Sequence, residues 1–178
     1  CGSGLSTLLL GAVALRTGNR VQTLEQHEEW APHMQAMVEK HRLSGSVVSH
    51  CALRDHGLFA WFDVSGLDLP REIGLVVCDG PPGGTKGGRH GMLPVMRERL
   101  AGRCTILLDD AHRDGEAEIA RGWAEALGGS LEFLEDEGFP FAFELVTHAG
   151  LQDIDGEDTP LHPGGRRMGR KEVAHDVA

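Results

Sequence analysis

The run Ile73-Gly74-Leu75-Val76-Val77-Cys78 carries no polar side chain and leads straight into Asp79-Gly80-Pro81-Pro82-Gly83-Gly84. A strand that alternates apolar and polar residues can leave one face in water. A strand apolar on both faces must be covered on both, as in a parallel sheet packed between helices. The glycines and prolines behind it can continue neither strand nor helix, so the chain turns at the carboxyl end of that strand. On this reading Asp79 is expected at the edge of a buried sheet.

The remaining segments fit the same plan. Leu5 to Thr17 is apolar on nearly every face, as expected of a helix packed deep against a sheet, and Gly18-Asn19 stops it. Val21 to Leu24 reads as a short buried strand ending at Glu25. Glu28 to His41 reads as a helix with Trp30, Met34, Met37 and Val38 on one face and Pro32 tolerated in its first turn. Ser46 to Cys51 is a third strand, and Leu58 to Val64 a short strand or a cover over the sheet. Met92 to Leu100 reads as helix and Cys104 to Leu108 as a buried strand closed by Asp109-Asp110. Glu116 to Leu127 is amphipathic through Ile119, Trp123 and Leu127, with Gly128-Gly129 as its stop. Ser130 to Leu134 and Phe141 to Thr147 flank a turn at Glu135 to Pro140 and are expected to pair antiparallel. Alternation of this kind predicts an α/β domain, a Rossmann-like doubly wound and mostly parallel sheet with an antiparallel last strand. Such a fold normally begins with a strand before its first glycine turn. None stands before Cys1-Gly2-Ser3-Gly4, so the first strand is read as missing from the N-terminus.

Length and charge narrow the function. The 178 residues suit one domain, expected over 1–150, with a tail over 151–178 where Asp153, Asp155, Glu157 and Asp158 give way to Pro, Gly and Arg. Seventeen Lys and Arg against 27 Asp and Glu leave a net charge of −10, which repels phosphate backbones and disfavours nucleic acid as a partner. Cys1, Cys51, Cys78 and Cys104 form no CxxC pair, and three lie in or beside apolar runs. They read as small buried hydrophobes in a reducing, cytoplasmic setting, without disulfide or zinc. The run Leu5 to Leu15 lacks the positive leading region of a signal peptide and is too short to span a bilayer, so no membrane role is expected.

Two constellations carry chemistry. In the first, Gly2-Ser3-Gly4-Leu5-Ser6-Thr7 opens a helix, and Glu25 ends the next strand 21 positions after Gly4. Glycines at a strand-to-helix turn let a ligand approach the backbone, and the helix start offers free N–H groups to it. A carboxylate at the following strand end can accept hydrogen bonds from both hydroxyls of a ribose. A nucleoside-containing ligand is expected. A dinucleotide fingerprint wants glycine where Thr7 stands, which weighs against a NAD(P)-dependent oxidoreductase and keeps it as the alternative, beside a non-catalytic nucleoside-binding domain. In the second constellation, Asp79 and Asp109-Asp110 close two strands expected to be neighbours. Three carboxylates converging there suit Mg²⁺. Otherwise Asp79 serves cofactor geometry alone and Asp109 or Asp110 caps the following helix.

Cys1 to Thr7, Thr23-Leu24-Glu25 with Trp30, Asp79-Gly80-Pro81-Pro82, and Leu107-Leu108-Asp109-Asp110-Ala111-His112-Arg113 with Trp123 together resemble a class I S-adenosylmethionine-dependent methyltransferase. The nearest group is the small-molecule O-methyltransferase type with G-x-S-T, D-G-P-P and D-D-x-x-R blocks, and the match runs over residues 1–147. The resemblance implies that Gly2, Ser3 and Gly4 line the methionine part of the cofactor, with Ser6 and Thr7 at the helix start. Glu25 would hold the ribose, His50-Cys51-Ala52 would border the adenine, and Asp79 would face cofactor and acceptor. It further implies a small-molecule methyl acceptor, with Mg²⁺ at Asp79, Asp109 and Asp110 as an aid some relatives use. For the base, His90 behind the glycine-rich loop and His112 beside the aspartates are the candidates, histidine being the residue type suited to proton removal near neutrality. Lys86 and Arg89 read as contacts for an acidic substrate group or as surface charges. Trp30, Trp61 and Trp123 read as core or rim, Trp61 being the one candidate for a roof over the acceptor.

Overall fold

The computed structural model describes residues 1–136 and 139–149; the tail expected over 151–178 lies outside them. The chain runs α1 (Leu5–Thr17), β1 (Val21–Glu25), α2 (Trp30–Lys40), β2 (Ser46–His50), β3 (Leu53–Asp55), β4 (Ala60–Phe62), β5 (Ile73–Cys78), α3 (Met92–Met96), a 3₁₀ turn (Arg97–Arg99), β6 (Leu100–Leu108), α4 (Asp114–Leu127), β7 (Ser130–Asp136) and β8 (Phe139–Ala149). This is the expected α/β alternation. β1 pairs parallel with β2, aligning Glu25 with His50. β5 pairs parallel with β6, while β8 lies antiparallel between β6 and β7.

Several boundaries differ from expectation, each for a local reason. The helix after the glycine-rich loop gives out at Met96, and Leu100 already pairs with Ile73 at the start of β6. α2 begins at Trp30 rather than Glu28 and buries Ala31, Met34 and Val38, leaving Trp30 42% exposed. β4 is a strand, but it pairs with Leu53–Asp55, which has no apolar alternation to announce it. The last two strands are longer than expected, β7 reaching Asp136 and β8 beginning at Phe139.

α1 departs most from its sequence reading. It buries only Thr7, Gly11 and Ala14, while Leu5 is 72% and Leu9 59% exposed. Contact is made through small residues because the helix lies close: a Cβ on Gly11 would come 2.9 Å from Ser46 Oγ and 3.0 Å from Leu43 Cδ1. The far side of α1 borders a cleft of about 620 Å³ between β1 and β5, lined by Leu10, Val13, Thr23 and Val77 among others. The buried apolar residues form two clusters. Ala31, Met34, Val38, Leu43 and Val48 cluster under α2, and a larger cluster around Trp61, Phe62, Ile106 and Trp123 reaches Leu24 of β1.

At one end of the cleft the backbone of Cys1 and Gly2 bridges β1 and β5. Gly2 N donates to Leu24 O at 2.9 Å and Asp79 N to Cys1 O at 3.1 Å. Cys1 N donates to Val77 O at 2.6 Å. The first two residues thus continue as a sheet rung between the ends of β1 and β5, and the glycine turn leaves from the carboxyl edge. Gly18 (φ 72°) and Gly128 (φ 62°) end α1 and α4 as expected. Cys51, Cys78 and Cys104 are buried. Among the described residues, no helix is long and apolar enough to cross a membrane.

Candidate functional site

Two groups of polar side chains gather at the carboxyl edge, one on either side of Gly2. The first centres on Glu25, which is 4% exposed. Its Oε2 accepts from Ser3 N at 3.0 Å and from Ser3 Oγ at 2.6 Å, and its Oε1 accepts from His27 N at 2.9 Å. A carboxylate is tolerated there because donors surround it. It borders an open cleft of about 560 Å³ with Gln26, His27, Glu29, Trp30 and His33. Trp30 was expected on the apolar face of α2. It stacks instead on His33, with ring centroids 4.9 Å apart, and its Nε1 donates to Ser3 O at 3.2 Å. Gln26 Oε1 is buried without a hydrogen-bond partner.

His50 and Cys51 lie beside this cleft. Cys51 N donates to Glu25 O at 2.7 Å, and the His50 ring is 3.3 Å from Gln26 O. Ala52 is exposed just beyond them. Thr7 is buried against Thr23, 3.4 Å between hydroxyls, and takes Gly4 N at 3.4 Å. Thr7 thus serves the helix start, with Ser6 half-buried beside it. Gly2 has φ 81°, a region glycine occupies without strain. A Cβ on Gly80 would stand 3.2 Å from Gly2 N, so the two glycine turns touch backbone to backbone.

The second group is the acidic one. Ligand atoms of Asp79, Asp109 and Asp110 lie within 4.8 Å of one another, close enough for one metal ion. Arg89, however, is among them. Its side chain is 2% exposed, neither a surface charge nor free for a substrate. Nη2 donates to Asp79 O at 2.9 Å and to Asp110 Oδ2 at 2.8 Å, and lies 3.5 Å from Asp79 Oδ1. Nη1 donates to Asp109 O. Arg113 takes the same Asp110 oxygen at 2.9 Å. Asp109 Oδ1 accepts Asp110 N at 2.8 Å, so Asp109 braces Asp110 and α4 starts behind Arg113 without a side-chain cap. The distance condition for Mg²⁺ is met, but the cluster as it stands does not fit that ion, because a guanidinium already supplies the positive charge.

Burial first, and then the neighbouring Asp109, push the Asp79 carboxyl up to about 6, with Arg89 opposing. Its side chain remains 57% exposed, so a proton can reach it. His90 and His112 are exposed, and among the described residues neither bonds to an aspartate of the cluster; His90 rests edge-on against Phe59 at 5.5 Å. Lys86 pairs with Asp55 at 3.2 Å. Trp61 is fully buried in the larger apolar cluster and roofs nothing.

No family model matches this sequence, and no curated protein matches it. Solved structures share its fold. A methyltransferase from Pyrococcus furiosus superposes with a TM-score of 0.56 at 13% identity, over 81% of this chain and 70% of that one. A precorrin-6y C5,15-methyltransferase from Geobacter metallireducens GS-15 gives 0.52 at 17% identity, over 82% and 75%. The m1A22 tRNA methyltransferase TrmK of Bacillus subtilis gives 0.52 at 18% identity, over 84% of this chain and 58% of that one. At such identities the likeness is one of architecture: this chain has the α/β fold on which these methyltransferases are built.

Proposed function

We propose that the protein binds S-adenosylmethionine at the Glu25 cleft and transfers its methyl group to a hydroxyl oxygen of a small molecule. The observation that carries this reading is Glu25 itself, a carboxylate held rigid at a strand end and opening onto a cleft walled by Trp30 and His33. The Ser3 hydroxyl, 2.6 Å from Oε2, occupies a place where a ribose hydroxyl can bond, so Ser3 turns aside when the nucleoside enters. The unpartnered Gln26 Oε1 and the His50-Cys51-Ala52 strand end fit the base side of the same ligand. Gly2, Ser3 and Gly4, with Ser6 and Thr7 behind them, would line the methionine side, where a Cβ on Gly4 would meet nothing within 4 Å and so leaves room for it.

When bound, S-adenosylmethionine supplies an electrophilic methyl carbon: its C–S bond breaks as the new O–C bond forms, leaving S-adenosylhomocysteine. The chain supplies position and a proton acceptor. Asp79 takes the hydroxyl proton. With its pKa at about 6 it is mostly ionised at neutral pH and still basic enough to accept one. His90 and His112 stand outside the cluster's bonding and are the weaker candidates. No step needs Mg²⁺.

The test is transfer of labelled methyl from S-adenosylmethionine to two acceptor pools, hydroxylated small molecules and bulk tRNA. Label in a small molecule, bound through oxygen, supports the reading. Label in tRNA would move the protein toward the activity named for its Bacillus neighbour and against its own net charge of −10.

A further inference from the structure

The sequence offers Arg89 as one basic residue in a loop of glycines. In the fold it is the most densely coordinated cation among the described residues. Four oxygens face its guanidinium: the carbonyls of Asp79 and Asp109, Asp110 Oδ2, and Asp79 Oδ1 at 3.5 Å. Behind them Glu116, with a 6% exposed side chain, lies 4.0 Å from Nη1. Carboxylate and carbonyl oxygens converging from the ends of two neighbouring strands are the donor set a hard divalent ion gathers. Here a planar fork gathers them, and arginine does not give up its charge at accessible pH.

We propose that Arg89 is the resident cation of the Asp79–Asp109–Asp110 cluster, joining the ends of β5 and β6 and excluding divalent metal from it. Exclusion has two sources. Mg²⁺ needs near-octahedral oxygens at about 2.0–2.1 Å, whereas Asp110 Oδ2 is shared by Arg89 and Arg113, and both strand-end carbonyls point at the guanidinium. A dication placed among these oxygens would also sit beside a fixed positive charge in a partly desolvated place, where repulsion is weakly screened. Burial locks the arrangement, since Arg89 is 2% exposed and cannot swing out without abandoning every partner. Arg89 is thus a positioning residue for Asp79, and the cluster is metal-free by construction.

Titration with Mn²⁺, read as loss of the free-ion electron paramagnetic resonance signal, tests this without any methyl acceptor, so it stands or falls apart from the methyltransferase reading. The wild-type chain should leave the signal unchanged to millimolar Mn²⁺. Arg89→Gln and Arg89→Met should each bind one Mn²⁺, roughly tenfold or more tighter than wild type, with a Mn²⁺-dependent rise in Tm, and adding Asp110→Asn should abolish both. A wild-type site that disappears with Asp110→Asn would overturn the proposal, as would a folded Arg89→Gln that binds no Mn²⁺. Should neither neutral variant fold, the wild-type titration decides alone: a silent titration upholds the proposal and a site lost on Asp110→Asn defeats it.

Discussion

Replacing Glu25 with Gln separates what this carboxylate does for the fold from what it does for a ligand. Three donors converge on it: Ser3 N–H at 3.0 Å, Ser3 Oγ–H at 2.6 Å and His27 N–H at 2.9 Å. An amide keeps one acceptor oxygen. Its best orientation leaves the Ser3 pair in place and turns NH₂ toward His27 N–H, donor against donor. One charge-assisted bond is lost and two become neutral, which sums to roughly 2–4 kcal/mol of stability. For a chain of this size that lowers Tm by about 4–16 °C. A ribose hydroxyl bonded to the carboxylate adds a separate loss of about 1–3 kcal/mol in binding, or roughly 5- to 150-fold in Kd. The assay is titration calorimetry with S-adenosylhomocysteine, run well below the variant's melting temperature. Ser3→Ala is the control. It costs one hydrogen bond, about 1 kcal/mol of stability, but frees Oε2, so its affinity should equal or exceed wild type. A Glu25→Gln protein that melts like wild type and binds S-adenosylhomocysteine equally well would refute the reasoning.

Three further outcomes follow from the same geometry. Asp79 is raised from 3.8 to about 6, so kcat/KM should climb as pH rises through 6, and Asp79→Asn should remove that limb. Because the folded state holds the Asp79 proton more tightly than the unfolded state, its contribution to stability falls as pH rises from about 4 to about 6; pH-dependent melts of wild type and Asp79→Asn should diverge over that window. Gly80→Ala places a Cβ 3.2 Å from Gly2 N, against backbone that cannot yield freely. It should cost about 1–3 kcal/mol and weaken S-adenosylhomocysteine, seen as a Tm drop together with a higher Kd; unchanged values would mean the two turns are not in contact. Finally, Leu24 O and Val77 O face the cleft between β1 and β5. The N–H and C=O of one strand residue point the same way, so the amides of Gln22, Leu24, Leu75 and Val77 should exchange faster than those of Thr23 and Val76. Equal exchange across these six amides would contradict the open edges.

Much of the edge was legible because strand ends advertise themselves. Val21 to Leu24 is short with two β-branched residues and Ile73 to Cys78 is an apolar run, so the sequence alone places Glu25 and Asp79 at the carboxyl edge. Glu25 and His50 come together because β1 and β2 lie in parallel register, which alternation with helices predicts. Arg89 was not legible. A basic residue among glycines has the pattern of a solvated loop, and its burial arises from three carboxylates delivered by distant segments. Trp30 misled for a related reason: helical spacing places it on the apolar face, but the first turn of α2 overhangs the Ser3 turn and leaves the indole in water. The all-round apolarity of α1 pointed to deep burial, whereas its Thr7, Gly11 and Ala14 face makes the contact and the rest borders the cleft or solvent.

The central claim is that a nucleoside binds between the glycine turn and Glu25, and amide shift mapping tests it most directly. Titrating ¹⁵N-labelled protein with S-adenosylhomocysteine should move Gly2 to Ser6, Gln26 to Trp30 and His50 to Ala52 together, with Asp79 and Gly80 following where the two turns touch. NAD⁺ should leave them still. Shifts confined to the lining of the cleft between β1 and β5, or the same set moved by NAD⁺ and untouched by S-adenosylhomocysteine, would contradict the account.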